Sequence, residues 1–441
     1  MTKRLETGKY RYTILAMLLY ATSVNYFDRS IIGVMAPTLS KLFGWTNTDY
    51  ADIIISFQTA YAIGMLVMGG VIDRLGSKKG YSLSIGIWAI FGMLHAAVRP
   101  AFSVIGFSMA RFGLGFGESG NFPAAIKVVA EWFPKKDRAL ATGIFNASTS
   151  IGAIAAPFVV AAIVSVNGKN WQYPFLITGF LSSVWVILWL KIYKKPEDHP
   201  KVTKEELAYI QSDNIEGQEE SSEKLPWRAL LPKRKTWVFG VAKITDAVWW
   251  FYLFWGAKFL AHRFGVNIKD IALPFFVLYI LADVGSIFGG FLSGAFIKKG
   301  WGINKARKIS LLICALIVLP VVFVAYTHNK WLAIFLIGFA AAGHQAWSAN
   351  IFTLVSDVFP KKATASVVGI GGMIGAVAGI ISNMALGTVL DTAGNHGYFW
   401  AFLVAGSMYL IILGIIHLMD PNMIPLDENL QPVYTLKPKT K

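Results

Sequence analysis

The chain has almost no thiol chemistry: Cys314 is the only cysteine among 441 residues. An intrachain disulfide is therefore excluded, and a thiolate zinc site has no ligand set. Charge is also sparse. Asp, Glu, Lys and Arg make up 15% of the chain, whereas a soluble domain carries nearer about a quarter. Acidic residues are the scarcer sign, 25 against 41 Lys and Arg. Neither G-x-x-x-x-G-K-[ST] nor H-E-x-x-H occurs, and no nucleophile–base arrangement stands out. ATP-driven pumping, zinc proteolysis and enzyme function in general are thus not expected, and neither a catalytic residue, a metal nor a cofactor is predicted. Gly115-Phe116-Gly117-Glu118-Ser119-Gly120 fits G-x-G-x-x-G. It lies inside an apolar stretch with no preceding strand, so its glycines read as helix-packing positions rather than a dinucleotide site.

What is abundant is apolar surface. Hydrophobic residues reach 55% and the mean hydropathy is +0.52, which makes lipid the expected solvent. A helix needs about 20 apolar residues to cross the hydrocarbon layer, so twelve crossings use roughly 240 residues. Apolar segments fall near 12–36, 52–72, 81–99, 104–127, 139–163 and 172–193, and again near 236–261, 271–297, 308–327, 331–355, 366–390 and 397–419. The expected fold is an all-α membrane protein of twelve transmembrane helices in two six-helix pseudo-symmetric bundles. Residues 1–193 form the first bundle, 194–235 a polar linker, 236–420 the second bundle and 421–441 a tail. Within the linker, Thr203-Lys204-Glu205-Glu206 is a capping-box pattern that predicts a short surface helix with a purely structural role. The first apolar stretch is too long for a signal-peptide core and reads as a retained helix.

The formal net charge of +16 does not point to nucleic acid, because the basic residues sit between apolar segments rather than in one basic domain. Their placement gives an orientation instead. With the N-terminus inside, 30 of the 41 cations fall in internal segments and six in external loops. Both termini are therefore expected in the cytoplasm. The halves also repeat: Trp132-Phe133-Pro134-Lys135-Lys136 recurs 226 residues later as Val358-Phe359-Pro360-Lys361-Lys362, and the same offset aligns Gly117-Glu118 with Gly343-His344. Repeated halves commonly hold a substrate site between them near the bilayer midplane.

A charged side chain at mid-bilayer costs about 2.5–3.5 kcal/mol on insertion scales, so each one needs a cavity or a partner. Arg111 and Glu118 are seven residues apart, two turns of one helix and nearly one face. Arg111 offers a planar fork for a substrate carboxylate, and Glu118 a carboxyl to carry a coupling proton. The alternative is an internal ion pair stapling the fourth helix to a neighbour. Asp28 and Arg29 are adjacent and project about 100° apart, so they need not pair with each other. In the second half His344, Gln345, Ser348 and Asn350 form a polar run that could bond substrate hydroxyls or act as glue between helices. Asn146 and Thr149, one turn apart in the fifth helix, are candidates on the same reasoning. Lys243, Asp246, Lys258 and Asp283 read as gating or interhelical pairing groups.

Gly69-Gly70-Val71-Ile72-Asp73-Arg74-Leu75-Gly76-Ser77-Lys78-Lys79 resembles the loop signature of the major facilitator superfamily. Its glycines permit tight helix ends, and Asp73 with Arg74, Lys78 and Lys79 could form a charge cluster that gates the inner end. Asn25-Tyr26-Phe27-Asp28-Arg29, Gly117-Glu118-Ser119-Gly120-Asn121-Phe122-Pro123-Ala124-Ala125, Glu131-Trp132-Phe133-Pro134 and Gly343-His344-Gln345-Ala346 narrow the resemblance to the anion:cation symporter family, and especially to its bacterial hexuronate and sugar-acid members. That resemblance implies proton symport of a small organic anion such as a hexuronate or hexonate, by a monomer in a bacterial inner membrane, with protons as the coupling ion. It implies Asp28 as a second protonation site, Arg29 as a substrate or gating contact and Tyr61 as a cavity hydroxyl. An antiporter of organic anions or organic phosphates, and a non-coupled channel or sensor, are the competing readings.

Overall fold

The structure, a computed structural model, describes residues 9–212, 227–427 and 429–433. Among them the only β pairing is an isolated bridge between Leu426 and Pro432. The first half comprises α1 (Tyr10–Phe43), α2 (Asn47–Leu94), α3 (Ser103–Glu118), α4 (Asn121–Trp132), α5 (Lys135–Ile163) and α6 (Gln172–Ile192). Two short helices follow, α7 (Lys204–Ile210) and α8 (Trp227–Leu230). The second half comprises α9 (Arg234–Lys243), α10 (Asp246–Phe264), α11 (Ala272–Lys298), α12 (Ile303–Val318), α13 (Lys330–Val358), α14 (Lys361–Ala393) and α15 (Asn395–Met419).

Among the described residues eight helical stretches are long and apolar enough to cross a bilayer, and one of them, Asn47–Ala97 with 51 residues, is long enough to cross twice. Three further crossings complete the twelve of this all-α membrane protein: α1, the α3–α4 pair and the α9–α10 pair. Their lower apolarity has identifiable causes. α1 carries Asp28 and Arg29 in its middle, the fourth crossing breaks at Ser119-Gly120 directly after Glu118, and the seventh breaks at Ile244-Thr245. The expected loop between the second and third crossings is reduced to a sharp kink within α2, where Gly76 takes φ +75°. An L-residue with a side chain rarely adopts that angle.

The chain divides into two compact units, one holding the first half together with Phe254–Ala272 and the other holding the rest of the second half. In the first unit α2 lies against α3 and α6, and α1 against α5. The approach of α2 and α3 is close because Gly115 and Gly117 lack side chains. A methyl group would meet the Phe57 carbonyl oxygen at 2.5 Å in one case and the Trp88 amide nitrogen at 2.6 Å in the other. These glycines are the packing positions expected of the pseudo-dinucleotide pattern, and they bring Phe57 of α2 beside the charged face of α3.

Phe254–Ala272 departs from the sequence-based boundary at residue 236. The Tyr50 hydroxyl donates to the Phe254 carbonyl at 2.7 Å, the Lys258 ammonium lies 4.9 Å from the Tyr50 ring centroid, and Lys269 Nζ donates to the Ala161 carbonyl at 2.7 Å. A buried tyrosine hydroxyl needs an acceptor, and Tyr50 finds it in this stretch.

The predicted linker helix is α7, with the Thr203 hydroxyl accepting from the Glu206 amide at 3.2 Å. Glu206 does more than cap its own helix. It is fully buried, and its carboxylate accepts from the backbone amides of Tyr10 and Arg11 at 3.2 and 3.1 Å while pairing with the Arg11 guanidinium at 3.5 Å. A carboxylate on free amides at a helix start is favourable for both the hydrogen bonds and the helix dipole.

In the second unit α12 lies against α13 and α9 against α14. The described part of the tail folds onto this unit. Leu426 N donates to the Val358 carbonyl at 2.8 Å, Lys233 Nζ to Leu430 O at 3.1 Å, and Lys235 pairs with Asp420.

Candidate functional site

The polar centre of the first unit is assembled from α1, α2 and α3. Arg29 of α1 donates from Nε at 3.1 Å and from Nη2 at 2.9 Å to a single oxygen, Oε2 of Glu118 at the end of α3. Nη2 also reaches Asn25 Oδ1 at 3.5 Å, one turn back on α1. The guanidinium is enclosed by the rings of Tyr26, Phe57 and Tyr61, at 4.8, 5.3 and 4.7 Å from their centroids. Aromatic faces stabilise a cation without neutralising it. Tyr61 thus stands beside the charged pair, through its ring.

Arg111 lies over the same phenyl group, 4.4 Å from the Phe57 centroid, so that one ring serves two guanidiniums. Arg111 is completely buried, and Nε, Nη1 and Nη2 make no hydrogen bond to any described group. Glu118 Oε1 is in the same position. The ion pair that staples α3 to a neighbour therefore exists, with Arg29 rather than Arg111 as the cation. The helical spacing of Arg111 and Glu118 did bring both to the core of one unit, but the neighbouring helix decided which cation meets the acid.

Asp28 points elsewhere, as the angle between adjacent helical residues requires. Both of its oxygens are buried without a hydrogen bond. It faces α2, where a methyl at Gly92 would lie 3.6 Å from Oδ1. The nearby hydroxyl of Thr178 donates its one proton to the Phe175 carbonyl at 3.1 Å.

In the second unit His344 is buried, with Nδ1 2.7 Å from the Tyr409 hydroxyl and its ring stacked on Trp249 at 5.6 Å between centroids. Gln345 is half-buried. Asn350 is buried and its amide donates at 2.9 Å to Gly289 O on α11 and at 2.9 Å to Ala346 O, the geometry of a link between helices. Lys243 pairs with Asp246, and the Lys243 ammonium lies over the Phe352 ring at 4.8 Å. On α5, Thr149 is half-buried and Asn146 exposed, and neither joins the Arg29–Glu118 cluster.

The loop signature gives a smaller charge cluster than expected. Asp73 pairs at 2.9 Å with Lys127 of α4, whereas among the described residues Arg74, Lys78 and Lys79 form no ion pair and extend to the surface or its edge. The cation comes from another helix, α4, and not from the signature itself. Several groups carried no assigned role in the sequence. Glu131 accepts from Ser77 Oγ at 2.8 Å and from the Tyr193 hydroxyl. Asn121 links the Tyr81 hydroxyl, at 2.6 Å, to the Thr22 hydroxyl, at 3.2 Å, just past the break in the fourth crossing. Glu131 and Asn121 both lie in the quoted motif stretches, and that was the available signal.

Residues 18–383 match the family model described as Major Facilitator Superfamily. A hexuronate transporter of Escherichia coli strain K12 is 33% identical over 393 residues, covering 87% of this chain and 88% of that protein. A galacturonate transporter of Dickeya chrysanthemi is 32% identical over 313 residues, covering 70% of this chain and 89% of that protein. In fold, the chain is similar to a bacterial homologue of the human lysosomal transporter Spinster, solved inward-facing and unoccupied, with TM-score 0.77, 18% identity and coverage of 95% of this chain and 98% of that one.

Proposed function

We propose that this chain, which belongs to the Major Facilitator Superfamily and is a membrane transporter rather than an enzyme, carries a sugar acid of the hexuronate or hexonate class together with protons. The reading rests above all on Arg111. A buried guanidinium without a hydrogen-bond acceptor is costly, and a carboxylate ligand would supply both the missing charge and two parallel hydrogen bonds. The similarity to hexuronate and galacturonate transporters supports a sugar monocarboxylate as that ligand.

Coupling follows from competition for cations. With Glu118 ionised, Arg29 is occupied and only Arg111 is available. Protonation of Glu118 weakens its hold on Arg29, so that two guanidiniums beside Phe57 can share the substrate carboxylate and an adjacent hydroxyl. Loss of the proton on the opposite side restores the Arg29–Glu118 pair and expels the anion as the two states exchange. Asp28 is the second acid, and Arg29 and Tyr61 line the substrate site with Arg111. His344, Gln345 and Asn350 of the second half, and Asn146 and Thr149 of the first, are proposed to meet the sugar hydroxyls. Asp73 with Lys127 is proposed to gate the cytoplasmic end, and the monomer is the functional unit. The bias of cations supports an inner-membrane protein with both termini cytoplasmic.

The test is uptake of labelled glucuronate, galacturonate and hexonates into proteoliposomes with an imposed pH gradient. Accumulation above equilibrium that collapses with the gradient is expected for at least one of these solutes. Exchange of solute for solute with no response to pH would replace symport by antiport.

A further inference from the structure

Among the buried polar atoms of the first unit that make no hydrogen bond are Asp28 Oδ1 and Oδ2, Arg111 Nε, Nη1 and Nη2, Glu118 Oε1, and His95 Nε2. The first six belong to groups already assigned. His95 does not. It follows the end of α2 and is completely buried, four residues before exposed Arg99 and Pro100.

The geometry fixes its tautomer. Nδ1 lies 2.8 Å from the Phe91 carbonyl and 3.1 Å from that of Gly92, and carbonyl oxygens only accept, so Nδ1 carries the hydrogen. Nε2 is then a lone-pair nitrogen, held in the core with no donor. The ring cannot easily turn, being stacked on Phe175 at 4.8 Å and 4° and met by the edge of Phe107 at 5.6 Å. Gly92, three residues earlier, lies on the same helical face and against Asp28 Oδ1. The charged group that acts on His95 is Arg111 of α3, while α6 presents Phe175 to the imidazole ring and Thr178 to Asp28.

We propose that His95 is a proton-relay residue that feeds Asp28 from the external surface. The inference rests on the proton-coupled reading above. A proton from external water bonds to the lone pair of Nε2, giving imidazolium. The same proton then leaves Nε2 for the Asp28 carboxylate, directly or across one water, restoring neutral imidazole and leaving a carboxyl. The Nδ1 hydrogen stays on the Phe91 carbonyl throughout. From Asp28 the proton has Glu118 Oε1 as its destination, deeper in the same unit.

His95→Asn separates this role from simple capping, since an amide can still donate to the Phe91 carbonyl but cannot take up and release a proton. Purified full-length protein in proteoliposomes is assayed two ways with labelled glucuronate or galacturonate: exchange at equal pH, and net uptake driven by an acid exterior. His95→Asn is expected to leave exchange unchanged and to slow driven uptake at least about tenfold. His95→Gln should behave likewise and covers an Asn variant that folds poorly. Driven uptake equal to wild type in either folded variant overturns the proposal. A parallel fall of exchange and driven uptake in both also overturns it, because the residue is then structural. If wild-type protein itself shows no proton-driven uptake, the symport reading fails first, and this inference with it.

Discussion

Arg29 holds Glu118 by one oxygen: Nε and Nη2 both reach Oε2, at 3.1 and 2.9 Å, and Oε1 makes no hydrogen bond. A fork-to-fork pair would occupy both carboxylate oxygens. Here Oε1 can accept a proton while the contact to Oε2 persists, so the pair can weaken without coming apart.

Glu118→Gln imitates that protonated state, with its amide oxygen placed toward Arg29. Solute exchange should persist, whereas accumulation driven by a pH gradient should disappear. Parallel measurements of counterflow and gradient-driven uptake check this, and unaltered accumulation would remove Glu118 from the coupling path.

Arg111 should separate stability from function. Arg111→Ala is expected to weaken substrate binding at least about 100-fold, the loss typical of a buried charge deprived of its partner. Arg111→Met, closer in volume, should do the same while leaving the thermal midpoint unchanged or raised, because it removes an uncompensated buried charge. Ligand binding and thermal unfolding in detergent give both readouts, and a folded Arg111→Ala protein with wild-type affinity would contradict the site.

For Asn350, binding and packing make different demands. Its amide nitrogen is engaged by Gly289 O and Ala346 O, and Oδ1 is the only part left over for a solute. Asn350→Ala should cost about 1 kcal/mol of stability through the lost interhelical bond. A rise in KM beyond what the loss of folded protein explains would place Oδ1 on the substrate, and an unchanged KM would leave only the link between helices.

The clasp at the start of α1 should be stability-critical. Glu206→Ala leaves two backbone amides and Arg11 without their buried acceptor and is expected to destabilise the protein by about 3 kcal/mol. Beside it, His199 packs against Tyr10 with ring centroids 4.1 Å apart and planes tilted by 35°, and burial holds its imidazole below the ordinary value of 6.5. The folded state therefore binds this proton less readily than the unfolded chain, so the contribution of His199 is complete above about pH 6.5 and declines as pH falls below it. A thermal midpoint recorded against pH should drop more steeply on the acid side in wild type than in His199→Asn.

Hydropathy made the number of crossings legible, since the bilayer imposes one length on every span and a local sum suffices to find it. The same reading located Asp28, Arg29, Arg111 and Glu118, because a charge in an apolar stretch is conspicuous wherever its partner lies. It also aligned Glu118 with His344. Yet the first sits in an ion pair and the second against Tyr409 and Trp249, because equivalent positions in the two halves meet different neighbours.

The sequence by itself determined an all-helical membrane chain with its charges at particular depths, because lipid acts on each segment almost independently. Only the tertiary structure decided that Glu118 takes Arg29 and leaves Arg111 open, that Lys127 rather than a loop cation meets Asp73, and that Glu206 of the linker caps α1. Those choices join residues 89, 54 and about 195 positions apart in the chain. They depend on which faces of separate helices come together, a property of packing that no local pattern encodes.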